Sequence, residues 1–247
     1  MKKIFTLIAL LAFVLGAMAQ GQYFYEWKDG KYVQRSLAEV DSITFSLPET
    51  SHQKVYKFVD LGLPSGTLWA DRNVGADSPE DYGDYFAWGE TTTKSFYYWG
   101  IYKWCRGSSD TMTKYCTNSN YGTVDYMTVL DLEDDAAYVN MGPEWRMPTD
   151  DEQIELRHNC TWTWTTQNGI RGYKVTGPNG NSIFLPAAGY RSGSSLSDAG
   201  SYGYYWSSSL DEINSYGAWG LYFYSGSHYT GNDRYRDNGL AVRAVAR

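Results

Sequence analysis

The sequence predicts an α+β domain with few short helices, many short antiparallel strands and long irregular loops. The chain of 247 residues carries 23 Tyr, 10 Trp and 9 Phe beside 25 Gly, which is typical of packed aromatic clusters joined by turns. Short runs of alternating polar and apolar residues recur between turn sequences, and each run favours a strand. Helix-start signals occur at two places.

The charge balance limits the class of partner. The chain has 21 basic and 28 acidic residues, a net charge of -7. It therefore lacks the excess of basic residues that would neutralise a run of phosphates, and we expect no nucleic-acid partner. The aromatic content of 17% argues against disorder.

Residues 1–19 have the pattern of a signal peptide. Lys2 and Lys3 precede an apolar run at residues 4–16, and Ala17-Met18-Ala19 supplies the small residues of a cleavage site. The run is shorter than the roughly 20 residues that span a bilayer. We predict a secreted protein (periplasmic, outer-surface or extracellular) that does not span the membrane.

Residues 20–53 predict a small N-terminal β segment and a linker. Tyr23, Tyr25 and Trp27 alternate before Asp29-Gly30, which is a strong hairpin-turn signal. Alternation returns at residues 40–47 and indicates a third strand. Two or three strands are too few to be stable alone.

The main domain is predicted over residues 54–247. Residues 55–61 and 67–74 are strand-like and flank a turn at Pro64-Ser65-Gly66. Residues 75–125 are irregular and dense in aromatic side chains, which need either burial or a binding surface.

Two helices are predicted next. Asp134-Asp135 places acids at the start of the first, and Thr149 with Glu152 forms a capping box for the second, which ends near residue 158. Capping explains these acids more simply than a cation site does. We predict no metal and no cofactor.

The rest of the chain is predicted as strands and turns. Residues 173–176 and 182–185 flank a Gly-Pro-Asn-Gly turn and form a hairpin. Further strands are expected at 204–208, 218–224 and 240–246.

The three cysteines are Cys105, Cys116 and Cys160, an odd number. Export permits disulfides, and Cys105 and Cys116 lie in one polar loop, where a disulfide between them would fix it. Three free thiols are the alternative. The three histidines are far apart in sequence, and no cysteine–histidine spacing indicates zinc.

Five short motifs occur in order along the main domain: VDLGLPSG at 59–66, WRMPT at 145–149, IFLPAAGY at 183–190, YWSSS at 205–209 and GLAVR at 239–243. Together they resemble the Fibrobacter succinogenes major paralogous domain over residues 54–247. Residues 40–45 resemble segments common in exported proteins of Bacteroidetes-type bacteria.

The resemblance implies a C-type lectin-like fold, which formylglycine-generating enzymes also use. In that fold the terminal strands pair and irregular loops form a ligand face. It also implies that Trp145, Trp162 and Trp206 belong to the core. Formylglycine-generating enzymes depend on two late cysteines, whereas no cysteine follows Cys160 here.

Catalysis and a calcium-bridged sugar site are both disfavoured. GxSxG and HExxH motifs are absent, so we predict a protein that is not an enzyme. Calcium-dependent lectins of this fold use EPN or QPD with WND. Here the corresponding triplets are Gly177-Pro178-Asn179 and Gly231-Asn232-Asp233.

Residues 202–236 carry the binding prediction, because eight tyrosines lie there among Ser, Gly and Asn, as in antibody binding sites. Alternation places Leu221 and Phe223 towards the core and Tyr222 and Tyr224 outwards. The predicted ligand-binding residues are Tyr216, Tyr222, Tyr224, His228, Tyr229, Asn232, Arg234 and Tyr235.

The expected ligand is a glycan or a surface protein. One alternative is that the tyrosines simply pack beneath neighbouring loops. Others are a structural or adhesive envelope component, or a retroelement-diversified receptor, since residues 214–238 are rich in Asn, Ser, Tyr, Asp and His. The oligomeric state is left open by the sequence.

Overall fold

A computed structural model describes residues 23–28, 31–36, 54–231 and 234–246. The chain divides into two units, Met1–Gln53 and Lys54–Arg247. Among the described residues, no helix has both the length and the apolar character needed to cross a bilayer. The predicted signal peptide, the strand at 40–47 and the linker at 48–53 lie outside them.

The first unit contains a two-stranded hairpin. Strand β1 (Tyr23–Lys28) pairs antiparallel with β2 (Lys31–Ser36), so that Tyr23 faces Ser36 and Lys28 faces Lys31. The predicted pairing is confirmed. Asp29 and Gly30 themselves lie outside the described residues.

The regular elements of the second unit are mostly strands. Among its described residues there are also two α-helices and two 3-10 turns, at Trp99–Ile101 and Leu132–Asp134. In chain order its elements are β3 (Phe58–Asp60), β4 (Leu68–Ala70), α1 (Ala136–Met141), β5 (Trp145–Arg146), α2 (Asp150–Asn159), β6 (Thr161–Gln167), β7 (Ile170–Thr176), β8 (Ser182–Pro186), β9 (Tyr190–Ser192), β10 (Ser195–Ser197), β11 (Tyr202–Leu210), β12 (Gly217–Tyr224), β13 (Ser227–Tyr229), β14 (Arg234–Tyr235) and β15 (Val245–Ala246).

These strands form three sheets and a hairpin, and every pairing between them is antiparallel. One sheet has the order β3-β4-β15-β5, which places both ends of the unit in the same sheet. A second has the order β6-β7-β8, and β9 pairs with β10. The third joins β11, β12 and β13, with β14 also on β12. The mostly-β, α+β class is therefore confirmed.

Several strands differ from the sequence prediction. The strands β5, β6, β9, β10, β13 and β14 are absent from it, although the Thr-Trp-Thr-Trp start of β6 alternates polar and apolar residues as a strand does. The strand predicted at 240–246 is regular only in β15. The residues before β15 form backbone hydrogen bonds with separate segments of the chain. Leu240 pairs with Phe86, and the carbonyl of Val242 accepts a hydrogen bond from Val74 N–H.

The capping signals are confirmed at atomic detail. At the start of α2, Glu152 N–H donates to the Thr149 hydroxyl at 3.3 Å, and Thr149 N–H donates to the Glu152 carboxylate at 2.9 Å. Asp135 caps α1 by accepting from Ala137 and Tyr138 N–H.

Half of the aromatic side chains at 75–125 are buried in the core, whereas Phe96 and Tyr98 are exposed. Tyr85, Phe86, Trp88, Tyr97 and Tyr102 are each at most 6% exposed. The three tyrosine hydroxyls all donate to backbone carbonyls, at 2.5 to 2.7 Å. Burial is thus possible because each hydroxyl finds an acceptor.

Two arginines are also buried, and they tie loops to sheets. Arg236 donates to the carbonyls of Lys114, Tyr115 and Ser215 and to the Tyr102 hydroxyl, and its guanidinium lies 4.8 Å over the Trp88 ring. Arg243 donates to Asn73 and to two carbonyls. Burial lowers the pKa of Arg243 to about 10.

The predicted disulfide between Cys105 and Cys116 is wrong. Both are free thiols, as is Cys160. Each of the two sulfurs is directed to a different carbonyl: Cys105 Sγ lies 3.2 Å from Trp99 O, and Cys116 Sγ lies 3.2 Å from Asn118 O. The loop is held instead by backbone bonds, including Met112 N–H to Tyr121 O at 2.7 Å.

Candidate functional site

The C-terminal sheet gathers five tyrosines on one face. In the antiparallel register Tyr202 pairs with Tyr224, Tyr204 with Tyr222, and Tyr222 with Tyr229 on the other side. Because residues two apart on a strand share a face, all five lie on the same side of the sheet. We call Tyr202, Tyr204, Tyr222, Tyr224 and Tyr229 the tyrosine face.

The alternation predicted in β12 is confirmed. Leu221 and Phe223 are 3% and 0% exposed, whereas Tyr222 and Tyr224 are half-buried on the opposite side. Gly203 makes this packing possible, because a Cβ there would lie 2.1 Å from the ring of Phe223. The glycine between two face tyrosines therefore lets the core ring lie against the strand backbone.

Four rings of the tyrosine face stand nearly parallel, whereas the ring of Tyr224 is tilted by 50° against Tyr202 and by 48° against Tyr222. The centroids of Tyr202 and Tyr222 are 5.9 Å apart at an interplanar angle of 9°, and those of Tyr222 and Tyr229 are 5.9 Å apart at 18°. Tyr204 and Tyr222 are closer, at 5.0 Å and 27°. Exposure grows outward from Tyr204, at 5%, to Tyr229, at 41%. The rings therefore support one another as a rigid platform.

Several hydroxyls of the tyrosine face form hydrogen bonds with neighbouring side chains. The Tyr204 hydroxyl donates to Asp198 at 3.3 Å. A side-chain hydrogen bond joins Tyr224 to Tyr229. It raises the pKa of Tyr224, while bonds from Ser227 and Tyr224 lower the pKa of Tyr229. Burial raises the pKa of Tyr204 and Tyr222, so these hydroxyls stay protonated near neutral pH.

Arg234 lies against the tyrosine face. Its guanidinium carbon is 4.4 Å from the ring centroid of Tyr204 and 5.4 Å from that of Tyr222, both within cation–π distance. Its buried Nε has no acceptor among the described residues. The arginine is thus held in place by ring contacts.

Two open depressions lie along the tyrosine face. The larger, of about 500 Å³, is lined by Tyr222, Tyr224, Tyr229, Thr230 and Gly231. The smaller, of about 160 Å³, is lined by Trp164, Arg171, Ser201, Tyr202, Tyr224 and Ser225. Tyr224 lines both depressions, so they adjoin at this residue. We call the two depressions together the strip.

The structure brings together four of the predicted site residues, Tyr222, Tyr224, Tyr229 and Arg234. Tyr216 and Tyr235 lie in another aromatic cluster, where they contact each other at 5.6 Å and also contact Tyr121 and Trp99. Asn232 lies outside the described residues.

His228 lies on the other side of the sheet from the tyrosine face. It pairs with Phe223 in the register, so it shares the core side with that residue. Its ring stacks on Trp162 at 4.6 Å and 13°. Burial and the nearby Arg157 lower the pKa of His228, which keeps the ring neutral. Its place is explained by packing.

Sequence reasoning missed Trp164 and Arg171, which line the smaller depression. Tyr202 and Tyr204 were counted among the tyrosines of the window but not among the site residues. The alternation of Thr161, Trp162, Thr163 and Trp164 was the available signal, because it predicts a strand with both tryptophans on one face.

The acidic residues Asp131, Glu133 and Asp134 also lie close enough together for a metal ion. The chain supplies its own cation to them: Lys114 Nζ lies 2.6 Å from Asp131 and 2.8 Å from Asp134. Asp134 receives a second ammonium from Lys103 at 2.9 Å. This cluster is accounted for as an ion-pair network.

Comparison with known proteins gives one match. Residues 161–245 match the model of a family described as a domain of unknown function, DUF8237. The matched stretch runs from β6 into β15 and includes all five tyrosines of the tyrosine face. No curated protein and no solved structure matches the chain.

Proposed function

We propose that this protein is an exported, non-enzymatic binding module with a C-type lectin-like domain, and that it takes a glycan or a surface protein on the tyrosine face. One observation carries the proposal: three adjacent strands place five tyrosines on one side of a sheet, and four of them line two open depressions.

The physical argument is preorganisation. Tyrosine offers a large contact area with two rotatable side-chain bonds, so little entropy is lost on binding. Here the rings already pack against one another and against Arg234, which reduces that loss further. The half-buried hydroxyls remain donors and acceptors for a polar ligand.

The lectin-like part of the proposal has separate support. The sheet that contains β3, β4, β5 and β15 joins both ends of the unit, as the resemblance implies. Trp145 and Trp206, two of the expected framework tryptophans, are 4% and 0% exposed. Trp162 is half-buried beneath His228.

The test is a screen of the purified protein on glycan and surface-protein arrays, with and without calcium. We expect a ligand that binds the wild type and is lost from Tyr222→Ala/Tyr224→Ala. Tyr126→Ala is the matched control, because Tyr126 is 77% exposed and lines neither depression.

Circular dichroism separates loss of binding from loss of folding. If the double alanine variant unfolds, Tyr222→Phe/Tyr224→Phe keeps the rings and removes only the hydroxyls. A ligand retained by both double variants would refute this site. The absence of any ligand on the arrays would favour a structural role in the envelope.

A further inference from the structure

The charges beside the tyrosine face are mainly positive, although the chain as a whole has a net charge of -7. Arg234 covers Tyr204 and Tyr222, and Arg171 lines the smaller depression. Arg157 binds the backbone of β13, where its Nε donates to His228 O at 3.1 Å. Among the described residues, two carboxylates contact this region: Asp198 accepts from the Tyr204 hydroxyl, and Asp150 accepts from the backbone N–H of Gly231, which lines the larger depression. The three arginines outnumber them.

Arg171 and Arg234 differ from the arginines that stabilise the fold. Arg146, for example, holds Glu152 through two nitrogens at 2.6 Å each, and Arg236 is saturated by carbonyls and a hydroxyl. The guanidiniums of Arg171 and Arg234 form no ion pair with a carboxylate of the described residues. Within the part of the chain that the structure describes, the N–H donors of these two guanidiniums are therefore not committed to a carboxylate.

The guanidiniums of Arg171 and Arg234 lie near different parts of the strip. Arg171 lines the depression on the Tyr202 side of Tyr224. Arg234 lies over Tyr222, which lines the depression on the other side of Tyr224. Arg234 itself lines neither depression. A ligand that extends from Arg171 across Tyr224 to Tyr222 would have one guanidinium near each end, so repeated negative charges along a chain fit this arrangement.

The residues that line the two depressions favour a sugar ligand over a peptide ligand. Hydroxyls of tyrosine, serine and threonine border the strip, as do Gly231 and the half-buried Trp164. Both depressions are open and shallow, whereas a docked peptide is usually anchored by an apolar side chain in a desolvated pocket.

Building on the proposed function, we propose that the ligand is an acidic polysaccharide whose carboxylate or sulfate groups pair with Arg171 and Arg234. Guanidinium presents two parallel N–H donors to such a group, which gives both affinity and orientation. The sugar rings then lie along the tyrosine face.

The test compares charged and neutral forms of the same polymers by titration calorimetry. Polygalacturonate and chondroitin sulfate are the charged probes. Methyl-esterified pectin and unsulfated chondroitin separate carboxylate from sulfate recognition. We expect at least one charged probe to bind, with affinity that falls as salt is added.

Arg171→Gln and Arg234→Gln are each expected to weaken that binding by about tenfold or more, the worth of a charge-assisted hydrogen bond. Arg106→Gln makes the same charge change at an exposed arginine that lines neither depression, and it should leave affinity unchanged. Arg234→Lys keeps the charge without the planar donor pair, and should bind more weakly than the wild type.

Three outcomes would overturn the inference. The first is a neutral polymer that binds as well as its charged form and is lost only from the tyrosine double variant, which would leave the proposed function intact. The second is poly-glutamate binding as tightly as the charged polysaccharides, which would indicate an acidic peptide. The third is no binding of any charged probe, after which the arrays alone decide the proposed function.

Discussion

Neighbouring tyrosines in this protein have different roles, in the core or on the tyrosine face, because they lie on opposite sides of a strand. Tyr205 is 1% exposed, and its hydroxyl donates to the carbonyl of Pro186 at 2.7 Å. Its sequence neighbour Tyr204 points to the opposite side of β11, where it belongs to the tyrosine face and also packs in the core cluster around Trp206. A count of tyrosines could not separate these roles, since the strand register decides which side each ring takes.

Asp237 gives the first prediction, which concerns pH. Its side chain is buried, and burial raises its pKa from 3.8 to about 6. The protonated form is therefore favoured by folding. The contribution of Asp237 to stability is largest below pH 4 and is lost as the pH rises through 6, because an ionised carboxylate must then be buried.

Asp237→Asn removes that cost. We expect the variant to exceed the wild type in free energy of unfolding at pH 7 by about 2 kcal/mol, and to equal it near pH 4. Denaturant titrations at several pH values measure the difference, with Glu144→Gln as the exposed control. A difference that stays constant between pH 4 and pH 7 would contradict the prediction.

At the scale of elements, local patterns predicted both helices and the β1–β2 and β7–β8 hairpins, but they missed six strands and the pairing of strands distant in sequence. The capping box placed α2, and the alternation in β12 sorted its side chains, because both depend on neighbours in sequence. Tyr235 was grouped with Tyr222, yet β14 pairs with the start of β12 and β13 pairs with its end. Which end of β12 a later strand pairs with depends on tertiary packing, and no local sequence pattern predicts it.

Gly203 gives the second prediction. A Cβ at this position would lie 2.1 Å from the Phe223 ring, so Gly203→Ala must displace either β11 or that ring. We expect a loss of about 1 to 3 kcal/mol in the free energy of unfolding, as for overpacked cores. Gly107→Ala is an unsuitable control because its φ is +101°, whereas Ser195→Ala, in the exposed hairpin β9–β10, is suitable.

The same substitution should also affect the tyrosine face, because Tyr202 and Tyr204 flank Gly203. Near-ultraviolet circular dichroism reports the tyrosine packing, and we expect its signal to change in Gly203→Ala and to persist in Ser195→Ala. An unchanged spectrum with unchanged stability would mean that the contact between Gly203 and Phe223 is not close in solution.

At the scale of the whole molecule, the sequence predicted the α+β class correctly. The content of short strands and the two helix starts were sufficient for that, since each is a local property. The disulfide prediction failed because sequence separation does not specify where a sulfur points: Cys105 and Cys116 are each directed to a different carbonyl. The two arginines in the core, Arg236 and Arg243, were also missed, because their acceptors are mostly backbone carbonyls.

The last prediction concerns the independence of the second unit. Among the described residues, the second unit contains three core clusters, around Trp206, around Trp69 and around Tyr97. A chain of this length buries enough apolar surface to fold alone. We expect residues 54–247 to unfold cooperatively, with a Tm within about 4 °C of the full chain, because a change of about 1 kcal/mol shifts the Tm of such a domain by 2–4 °C. Calorimetry of both proteins measures this, and a broad, non-cooperative transition in the shorter chain would show that the first unit completes the fold.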